Sequence, residues 1–426
     1  MLFYFLYFIF STFLFLFVYI LQFFNKKIKI HLRDEVSSIE NVINKIFEID
    51  RSKRKILLFH AASAGEYEQI KPILKKISRK KYFIIQSFTS PTIYEKEMNS
   101  NLFDICCYHP FDIWWKSYSF FKRIKPDIYC ITRHDIWPIH LFMLNFFKIK
   151  SIYINVNIHD NSLWVKPYIR KISKIIFKKI TFFTVPSNSI KEQLFKISSN
   201  FKISMIRDTR FEQVISRSEK NKSNEYLPNY FSSSFNMIFG SYDMNDEKYI
   251  FHSIKKIYKY QNKSVKSLNH RIILVPHEVD EKTIARTQKN LTSLGFDYSL
   301  YTELKDNSTA NIIIVNIVGI LPELYKYCSL AYVGSGFSDG VHSVIEPGIY
   351  GCTVAYGPNI ELLDEAKEID SKGFGVMIKN KKDMIDFINL YKDKKTIDKL
   401  GKNIKKFILK SDKSSIKIIE TIEDLL

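Results

Sequence analysis

The sequence predicts an α/β protein with two successive doubly wound domains and an apolar N-terminal helix. Three observations predict it: short apolar runs alternate with helical patterns, a polar segment divides this alternation into two halves, and a long uncharged apolar stretch opens the chain. Strands that alternate with helices pair in parallel, so each half should form a sheet covered by helices on both faces. The 426 residues are enough for two such domains.

The apolar stretch spans residues 2–24 and is long enough to cross a bilayer as a helix. A cleaved signal peptide would have a basic start and a small-residue cleavage site, and this stretch has neither. The basic residues that follow should stay in the cytoplasm; they are Lys26, Lys27, Lys29 and Arg33. We therefore expect a single-pass anchor over residues 1–24 in the plasma membrane, with the globular part cytoplasmic. An uncleaved signal with the rest exported is the alternative.

The first domain is expected over residues 25–215. An amphipathic pattern predicts a helix over residues 34–50, and the alternation begins after it. Strands are expected at 55–59, 82–88, 105–108, 127–132 and 151–155, and helices at 66–78, from 90 onward, at 114–124 and at 137–147.

A polar segment over residues 216–235, which includes the run 220–224, is expected to be a linker. The second domain is expected over residues 236–426. Its last segment, 404–426, is helical in pattern, and we expect it to cross back to the first domain. Strands of the second domain are expected at 236–240, 271–276, 311–315, 330–333 and 353–356.

The net charge of +20 is high. It fits an anionic partner, such as a phosphorylated lipid or a membrane surface, or a compositional bias toward lysine. The sequence has no recognisable helix-turn-helix, zinc finger or RNA-binding strand pair, so nucleic acid is the weaker candidate partner. The five cysteines are not spaced as metal ligands, and we expect buried or free thiols in a reducing compartment.

Residues 60–66, His-Ala-Ala-Ser-Ala-Gly-Glu, lie between a predicted strand and a predicted helix. Gly65 lets the backbone approach a ligand, and the free N–H groups at the helix start could bind an anion. Glu66 is either a cap of that helix or a general base at the lip of a cleft. The local sequence leaves both roles open.

A glycine-rich loop, residues 334–347, follows the predicted strand 330–333. Its N–H groups could surround a phosphate, and Glu346 could accept hydrogen bonds from a ribose diol. The glycine spacing differs from the nicotinamide-binding pattern. A tight turn followed by a helix-stabilising Glu is the alternative, and His342 alone would more often be structural.

Three other polar positions could contact ligands. Arg210 could hold a phosphate or carboxylate bidentately, although a surface arginine is the simpler interpretation. His277 ends a predicted strand, the place where ligands meet sheets of this kind. Asp135 also follows a predicted strand, and it could instead cap the next helix.

Together these segments resemble the bacterial Kdo transferases, which move 3-deoxy-D-manno-octulosonic acid (Kdo) from CMP-Kdo to a lipid A precursor. The matching segments occur in the family's order and cover nearly all of the chain after the apolar stretch. The version with Pro276-His277-Glu278 and Gly336-Phe337 is most similar to Bacteroidetes-type members. The segments are 60–66, 110–112, 135–138, 208–211, 240–241, 275–278, 321–325, 334–347 and 357–358.

The resemblance implies a GT-B fold with the active site in the cleft between two lobes, and an inverting transfer without a metal or another cofactor. It implies that Glu66 is the catalytic base and that Asp135 and Arg210 support the transition state. The substrate-binding residues that it implies are Pro276, His277, Val318, Gly319, Ile320, Gly336, Ser343, Val344, Ile345 and Glu346.

The sequence departs from the family's pattern at four places. Asp135 stands where the family usually has Glu, and Ser343 where it usually has Asn. Ile320 replaces a residue that is polar in most members, and the segment 90–92 lacks the usual glycine.

The expected function is transfer of Kdo from CMP-Kdo to lipid IV-A at the inner membrane, in lipopolysaccharide biosynthesis. The positive charge, including the basic segment 166–179, suits an anionic donor, acceptor and bilayer. One alternative is another membrane-anchored GT-B glycosyltransferase that uses a UDP- or GDP-sugar. The other is a non-catalytic nucleotide-sugar binder.

Overall fold

The computed structural model describes residues 2–133, 135–221, 225–304, 311–410 and 413–426. The chain divides into two compact units. The first comprises Met1–Gln213 and Ser411–Leu426, and the second comprises Val214–Lys410. His134, part of the motif around Asp135, and residues 222–224 of the expected linker lie outside the described residues.

The first unit is built on a parallel seven-stranded sheet with the order β3-β2-β1-β4-β5-β6-β7. The chain winds outward from β1 in one direction and from β4 in the other, so the order reverses between these two strands. The strands are β1 Lys55–Ala61, β2 Tyr82–Phe88, β3 Ile105–Tyr108, β4 Ile128–Thr132, β5 Lys150–Ile154, β6 Phe182–Val185 and β7 Ile203–Met205.

Helices cover both faces of this sheet. Alternate residues of β1 enter different cores: Ile56 and Leu58 pack into one, and Leu57 and Phe59 into the other. Burial on both faces explains why the strand is continuously apolar. The helices up to the second unit are α1 Leu2–Leu21, α2 Lys26–Phe47, α3 Ala64–Leu74, α4 Pro91–Glu97, α5 Trp114–Ile124, α6 Pro138–Phe146, α7 Arg170–Phe177, α8 Asn188–Ile197 and α9 Arg210–Lys220, with a 3-10 turn at Leu163–Val165.

The helix α2 begins eight residues before the expected start at residue 34. Its cap explains the difference. The side chain of Asn25 accepts hydrogen bonds from the N–H groups of Lys27 and Ile28 and so starts the helix directly after α1.

Helix α1 is long and apolar enough to cross a membrane by length and composition. One of its faces packs on α5 and α6. The rings of Tyr4 and Phe8 lie 4.8 and 5.3 Å from that of Phe142, and the Tyr7 hydroxyl donates to Asp112 Oδ2 at 3.1 Å. Most of its other residues are exposed.

The second unit repeats the plan, with a parallel seven-stranded sheet in the order β10-β11-β9-β8-β12-β13-β14. Here the order reverses between β8 and β12. The strands are β8 Phe235–Tyr242, β9 His270–Pro276, β10 Ser299–Leu300, β11 Ile312–Ile314, β12 Leu330–Val333, β13 Thr353–Tyr356 and β14 Val376–Met377.

The helices of the second unit also lie on both faces of its sheet. They are α10 Met244–Ile257, α11 Gln261–Ser267, α12 Glu281–Ser293, α13 Leu321–Leu324, α14 Ile345–Tyr350, α15 Asp364–Ser371, α16 Lys381–Asn389 and α17 Lys394–Leu409, with 3-10 turns at Asn229–Ser233, Tyr301–Glu303, Tyr325–Tyr327 and Leu390–Lys392.

Two expected boundaries need correction. Residues 216–220, expected in the linker, form the end of α9. The last segment was expected to cross back from residue 404, but residues 404–409 belong to α17 of the second unit. Only the final helix, α18 Ser414–Leu425, belongs to the first unit, where Ile418 and Ile422 are buried in the core.

Candidate functional site

Two candidate residues of the first unit follow the two strands between which the strand order reverses. Glu66 comes after β1 and Asp135 after β4, and these strands pair in parallel, with Phe59 opposite Cys130. Beyond the carboxyl ends of such a pair the chain leaves in opposite directions, which opens a crevice suited to a ligand. The topology therefore brings both carboxylates to one edge of the sheet.

Glu66 closes a capping box at the start of α3. Ser63 Oγ accepts the N–H of Glu66 at 3.4 Å, and Glu66 Oε2 accepts the N–H groups of Ala62 and Ser63 at 2.8 and 3.2 Å. The helix-cap role that the sequence left open is therefore present. It uses Oε2, so it does not prevent Oε1 from meeting a substrate proton.

The surroundings of Glu66 raise its pKa. Burial is the largest cause, and the charge of Asp135 adds to it. The charge of His60 and the two amide hydrogen bonds act in the opposite direction but do not cancel these effects. A carboxylate whose pKa is raised toward neutrality is a better proton acceptor, as a general base must be.

Asp135 does not cap the next helix. Helix α6 begins at Pro138 with Trp137 at the cap position, and the free N–H groups of its first turn, those of Ile139 and His140, donate to Asp112 at 3.2 and 2.8 Å. Asp135 Oδ2 lies instead 2.8 Å from Nε2 of His60, which is fully buried. The first residue of the 60–66 segment thus contacts a carboxylate, a role that the sequence analysis did not assign to it.

Arg210 is the first residue of α9, and its backbone N–H donates to Asp208 Oδ1 at 2.7 Å. Its Nη2 lies 3.8 Å from Asp208 Oδ2, which also accepts from Gln69 Nε2 at 3.1 Å. Gln69 stands on α3 one turn after Glu66. The structure thereby ties the segment that carries Arg210 to the helix that carries Glu66.

A second link joins the same elements. Asn155 Nδ2 donates to Thr209 Oγ1 at 2.8 Å, and the Thr209 hydroxyl donates to the backbone carbonyl of Gln69. Sequence reasoning missed Gln69 and Asn155. A polar residue directly after the apolar strand β5 was the available signal for Asn155, whose φ of +51° marks a turn.

In the second unit, the glycine-rich loop follows β12 at the point where the strand order reverses. A Cβ on Gly334 would lie 2.3 Å from the Cα of Tyr242, and one on Gly336 would lie 2.6 Å from the backbone of Gly357. These two glycines are therefore required by close backbone packing. The sequence left phosphate binding and a tight turn open for this loop and did not predict the close backbone packing.

Two carboxylates at the start of α10 accept hydrogen bonds from this loop and fix its position. Asp246 Oδ2 accepts the N–H groups of Ser335 and Asp243 at 2.7 and 2.9 Å, and its Oδ1 accepts the Tyr332 hydroxyl at 2.6 Å. The Ser338 hydroxyl donates to Asp243. The sequence analysis missed both residues, although their spacing is that of a capping box.

Two buried polar atoms at the end of the loop lack partners within the described residues: Nε2 of His342 and Oγ of Ser343. The His342 ring stacks on that of His277 with centroids 4.5 Å apart, and burial lowers the pKa of His342. The side chain of His277 is 45% exposed. Unpaired buried polar atoms are costly, so they mark a place where a ligand's polar groups would fit.

The other expected donor-binding residues differ in accessibility. Val318 is exposed and Gly319 has a φ of +93°, while Ile320 stands at the cap position of α13. Val344 and Ile345 are fully buried, so only their backbone could meet a ligand. Pro276 ends β9, and Glu346 is the second residue of α14.

Four cysteines are buried and Cys328 is partly buried, and all five are free thiols. In the described part of the chain, no three His, Cys, Asp or Glu side chains lie together as metal ligands would.

Residues 39–213 match the family model of the 3-deoxy-D-manno-octulosonic-acid transferases. The chain is 25% identical over 333 residues to a 3-deoxy-D-manno-octulosonic acid transferase of Aquifex aeolicus, covering 77% of this chain and 84% of that protein. It is 24% identical over 377 residues to a bifunctional glycosyltransferase/methyltransferase of Fusobacterium nucleatum, covering 84% of this chain but only 57% of that longer protein.

Solved structures of low sequence identity share the fold. An S. aureus MnaA–UDP structure aligns with a TM-score of 0.61 at 11% identity, covering 87% of this chain and 98% of that one. A UDP-GlcNAc 2-epimerase from Methanocaldococcus jannaschii aligns with a TM-score of 0.58 at 16% identity, covering 87% and 99%. These likenesses confirm the expected fold class, a GT-B fold with two Rossmann-like domains.

Proposed function

Because the chain belongs to the Kdo transferase family, whose glycosyltransferases transfer Kdo, we propose that it moves Kdo from CMP-Kdo to lipid IV-A with inversion at the anomeric carbon. The observation that carries this proposal is Glu66: a buried carboxylate of raised pKa, beside Asp135, beyond the strand pair where the order reverses.

In the proposed reaction an acceptor hydroxyl oxygen attacks the anomeric carbon of Kdo. The new glycosidic C–O bond forms as the bond from that carbon to the phosphate oxygen of CMP breaks. Glu66 takes the hydroxyl proton, and CMP leaves with the bonding electron pair as a phosphate monoester. Since Oε2 is held by two amides, Oε1 is the oxygen that receives the proton.

Arg210 supplies positive charge to this reaction. Its guanidinium is oriented through Asp208, and a planar guanidinium suits a carboxylate or a phosphate oxygen. Kdo carries a carboxylate and the leaving group carries a phosphate, so either is a suitable partner. We propose that Arg210 stabilises the negative charge that develops in the transition state.

The glycine-rich loop of the second unit binds the CMP part of the donor in this proposal. The unpaired atoms of His342 and Ser343 support it because a phosphate or a cytosine ring would supply the missing partners. His277 offers an exposed imidazole beside them, and Glu346 a carboxylate for the ribose hydroxyls. The segment 318–320 would contribute backbone contacts.

We also propose that the protein works at the cytoplasmic face of the inner membrane, anchored through α1. The exposed apolar residues of α1 support membrane attachment. The helix α7 carries Arg170, Lys171 and Lys174 and no acidic residue, which suits a phosphorylated acceptor in an anionic leaflet.

The test is a transfer assay with detergent-solubilised protein, CMP-Kdo and tetraacylated lipid A precursor, read by mass spectrometry. A mass increase of one or more Kdo units supports donor, acceptor and reaction together, and it gives the number of Kdo units added. Glu66→Gln is the control and should show no product on the same time scale. Tight binding of UDP with no binding of CMP would overturn the proposed donor.

A further inference from the structure

A stack of three imidazoles lies behind the candidate base and has no role in the mechanism above. The rings of His60 and His109 are 3.8 Å apart, and those of His109 and His140 are 4.7 Å apart. All three side chains are buried. The first of them reaches the candidate site through its contact with Asp135.

The contacts of His60 with Ser87 allow two positions for the proton of the neutral ring. Its Nδ1 lies 3.2 Å from the backbone carbonyl oxygen of Ser87 and 3.0 Å from the Ser87 hydroxyl oxygen. A carbonyl oxygen can only accept, so a proton on Nδ1 suits both contacts when the Ser87 hydroxyl donates to the carbonyl of Phe59 at 3.2 Å. If the hydroxyl donates to Nδ1 instead, the ring proton is on Nε2, on the side of Asp135.

With Nδ1 protonated, a neutral His60 would present the lone pair of Nε2 to Asp135. That lone pair would lie 2.8 Å from a carboxylate oxygen, and the two would repel each other. An N–H on Nε2 removes this repulsion, so the ring then attracts the Asp135 carboxylate.

We propose that His60 is a positioning residue of the transfer reaction, whose ring lies 2.8 Å from the Asp135 carboxylate and thereby holds it beside Glu66. The inference rests on the proposed function. Without His60, which lowers the pKa of Glu66, the base would be harder to ionise.

The groups around this pair are consistent with that role. Asp135 raises the pKa of Glu66, second to burial, and His60 lowers it. Burial holds the pKa of His109 well below its usual range, so the ring behind His60 stays neutral. The charge of Asp135 also acts on the hydroxyls of Tyr129 and Tyr153, whose pKa values burial raises, and the charge of Arg133 acts on Tyr153.

Two substitutions separate the two contacts of His60. The amide of Gln reaches the place of Nε2, so His60→Gln keeps a donor toward Asp135 and loses the bond to Ser87. The shorter amide of Asn reaches the place of Nδ1, so His60→Asn keeps the bond to Ser87 and loses the donor toward Asp135. We expect His60→Asn to lower kcat on the order of 100-fold with little change in KM, and His60→Gln to keep kcat within about tenfold.

The pH profile distinguishes positioning from a structural role. The base must be ionised, so activity falls as the pH drops through the pKa of Glu66. Since His60 lowers that pKa, His60→Gln should move the acidic limb of kcat/KM to higher pH. In an Asp135→Asn background the same substitution should have little further effect, because the partner through which His60 acts is gone.

His140→Gln is the matched control. It alters another buried imidazole of the same stack, which contacts Asp112 rather than Asp135. It should lower the Tm but leave the acidic limb in place. The proposal is wrong if the kcat of His60→Asn equals that of wild type. It is also wrong if His140→Gln moves the acidic limb of the pH profile as far as His60→Gln does.

A substrate-free measurement keeps this test separate from the proposed function. Infrared difference spectra, with Glu66→Gln to assign the band, follow the ionisation of the Glu66 carboxyl with pH. An upward shift of that transition in His60→Gln supports the proposal even if wild type fails to transfer Kdo. An unchanged transition overturns it, and an inactive wild type with a shifted transition overturns only the proposed substrates.

Discussion

Gln69 Nε2 donates a 3.1 Å hydrogen bond to Oδ2 of Asp208, and through it α3 is joined to the start of α9. The two side chains are far apart in sequence but lie next to the proposed base and the proposed cation, Glu66 and Arg210. Together with the bond from Thr209 to the Gln69 carbonyl, this bond couples the positions of the two charged groups that the proposed reaction needs.

Replacing Gln69 with Met should weaken that coupling. The substitution keeps the side-chain length and removes the donor, while the bond from Thr209 to the Gln69 carbonyl remains. We expect kcat to fall on the order of tenfold and the free energy of unfolding to fall by about 1 kcal/mol. Gln193→Met is the control, at another buried glutamine of the same unit, whose Oε1 lacks a partner within the described residues; it should leave kcat unchanged.

Glu66→Gln and Glu66→Ala should separate the base from the cap. Gln keeps an oxygen for the amides of Ala62 and Ser63, whereas Ala removes both the cap and the base. Both should lower kcat by about 10²–10⁴-fold. Only Glu66→Ala should also lower the free energy of unfolding, by about 1 kcal/mol, as measured by urea unfolding. Full activity in Glu66→Gln would contradict the assignment of the base.

The raised pKa of Glu66 makes a further prediction about stability. Because the folded-state pKa lies above the unfolded one, the stabilisation from the protonated carboxyl is complete below the unfolded pKa. It is lost as the pH rises through the folded-state pKa. Glu66→Gln should therefore be more stable than wild type at neutral pH, and the difference should shrink on acidification. A constant difference across this range would be inconsistent with the raised pKa.

Ser343→Ala should weaken CMP binding without weakening the protein. Its hydroxyl is buried and unpaired within the described residues, so removing it costs the free protein nothing. If the nucleotide supplies the missing partner, the affinity for CMP should fall by about 1 kcal/mol, roughly fivefold. Calorimetry measures the affinity for CMP, and thermal unfolding measures the stability of the free protein. The control is Ser253→Ala, a buried unpaired serine on α10, which should leave CMP affinity unchanged.

Asp246→Asn should loosen the glycine-rich loop. Asp246 accepts three hydrogen bonds and an Asn amide group cannot accept them all, so a buried N–H or hydroxyl loses its partner. We expect a loss of about 1–3 kcal/mol in the free energy of unfolding and weaker CMP binding. Asp280→Asn changes an exposed cap of α12 and should alter CMP affinity little. Equal effects from both would contradict a role for Asp246 in holding the loop.

The sequence alone predicted the alternation of strands and helices, because buried parallel strands are continuously apolar and their lengths differ from those of helices. The bounds of β2, β3, β12 and β13 agree with the structure. It missed β6, β7, β10 and β14, which are short and lie toward the sheet edges, where a few apolar residues carry little periodic signal. It also placed the start of α2 too late, because the capping role of Asn25 was not recognised.

The candidate residues Glu66, Asp135 and Arg210 were identifiable from motifs, since each lies beside a strand end or a helix start. The order of the strands and the final packing decided the contacts around them: the contact of His60 with Asp135 and the bond of Gln69 to Asp208. In the second unit, packing likewise decided the close approach that excludes a side chain at Gly334. The spacing of apolar residues along the chain shows which positions of a strand or helix are buried. Contacts between residues distant in sequence depend on which strands become neighbours, and no local pattern carries that information.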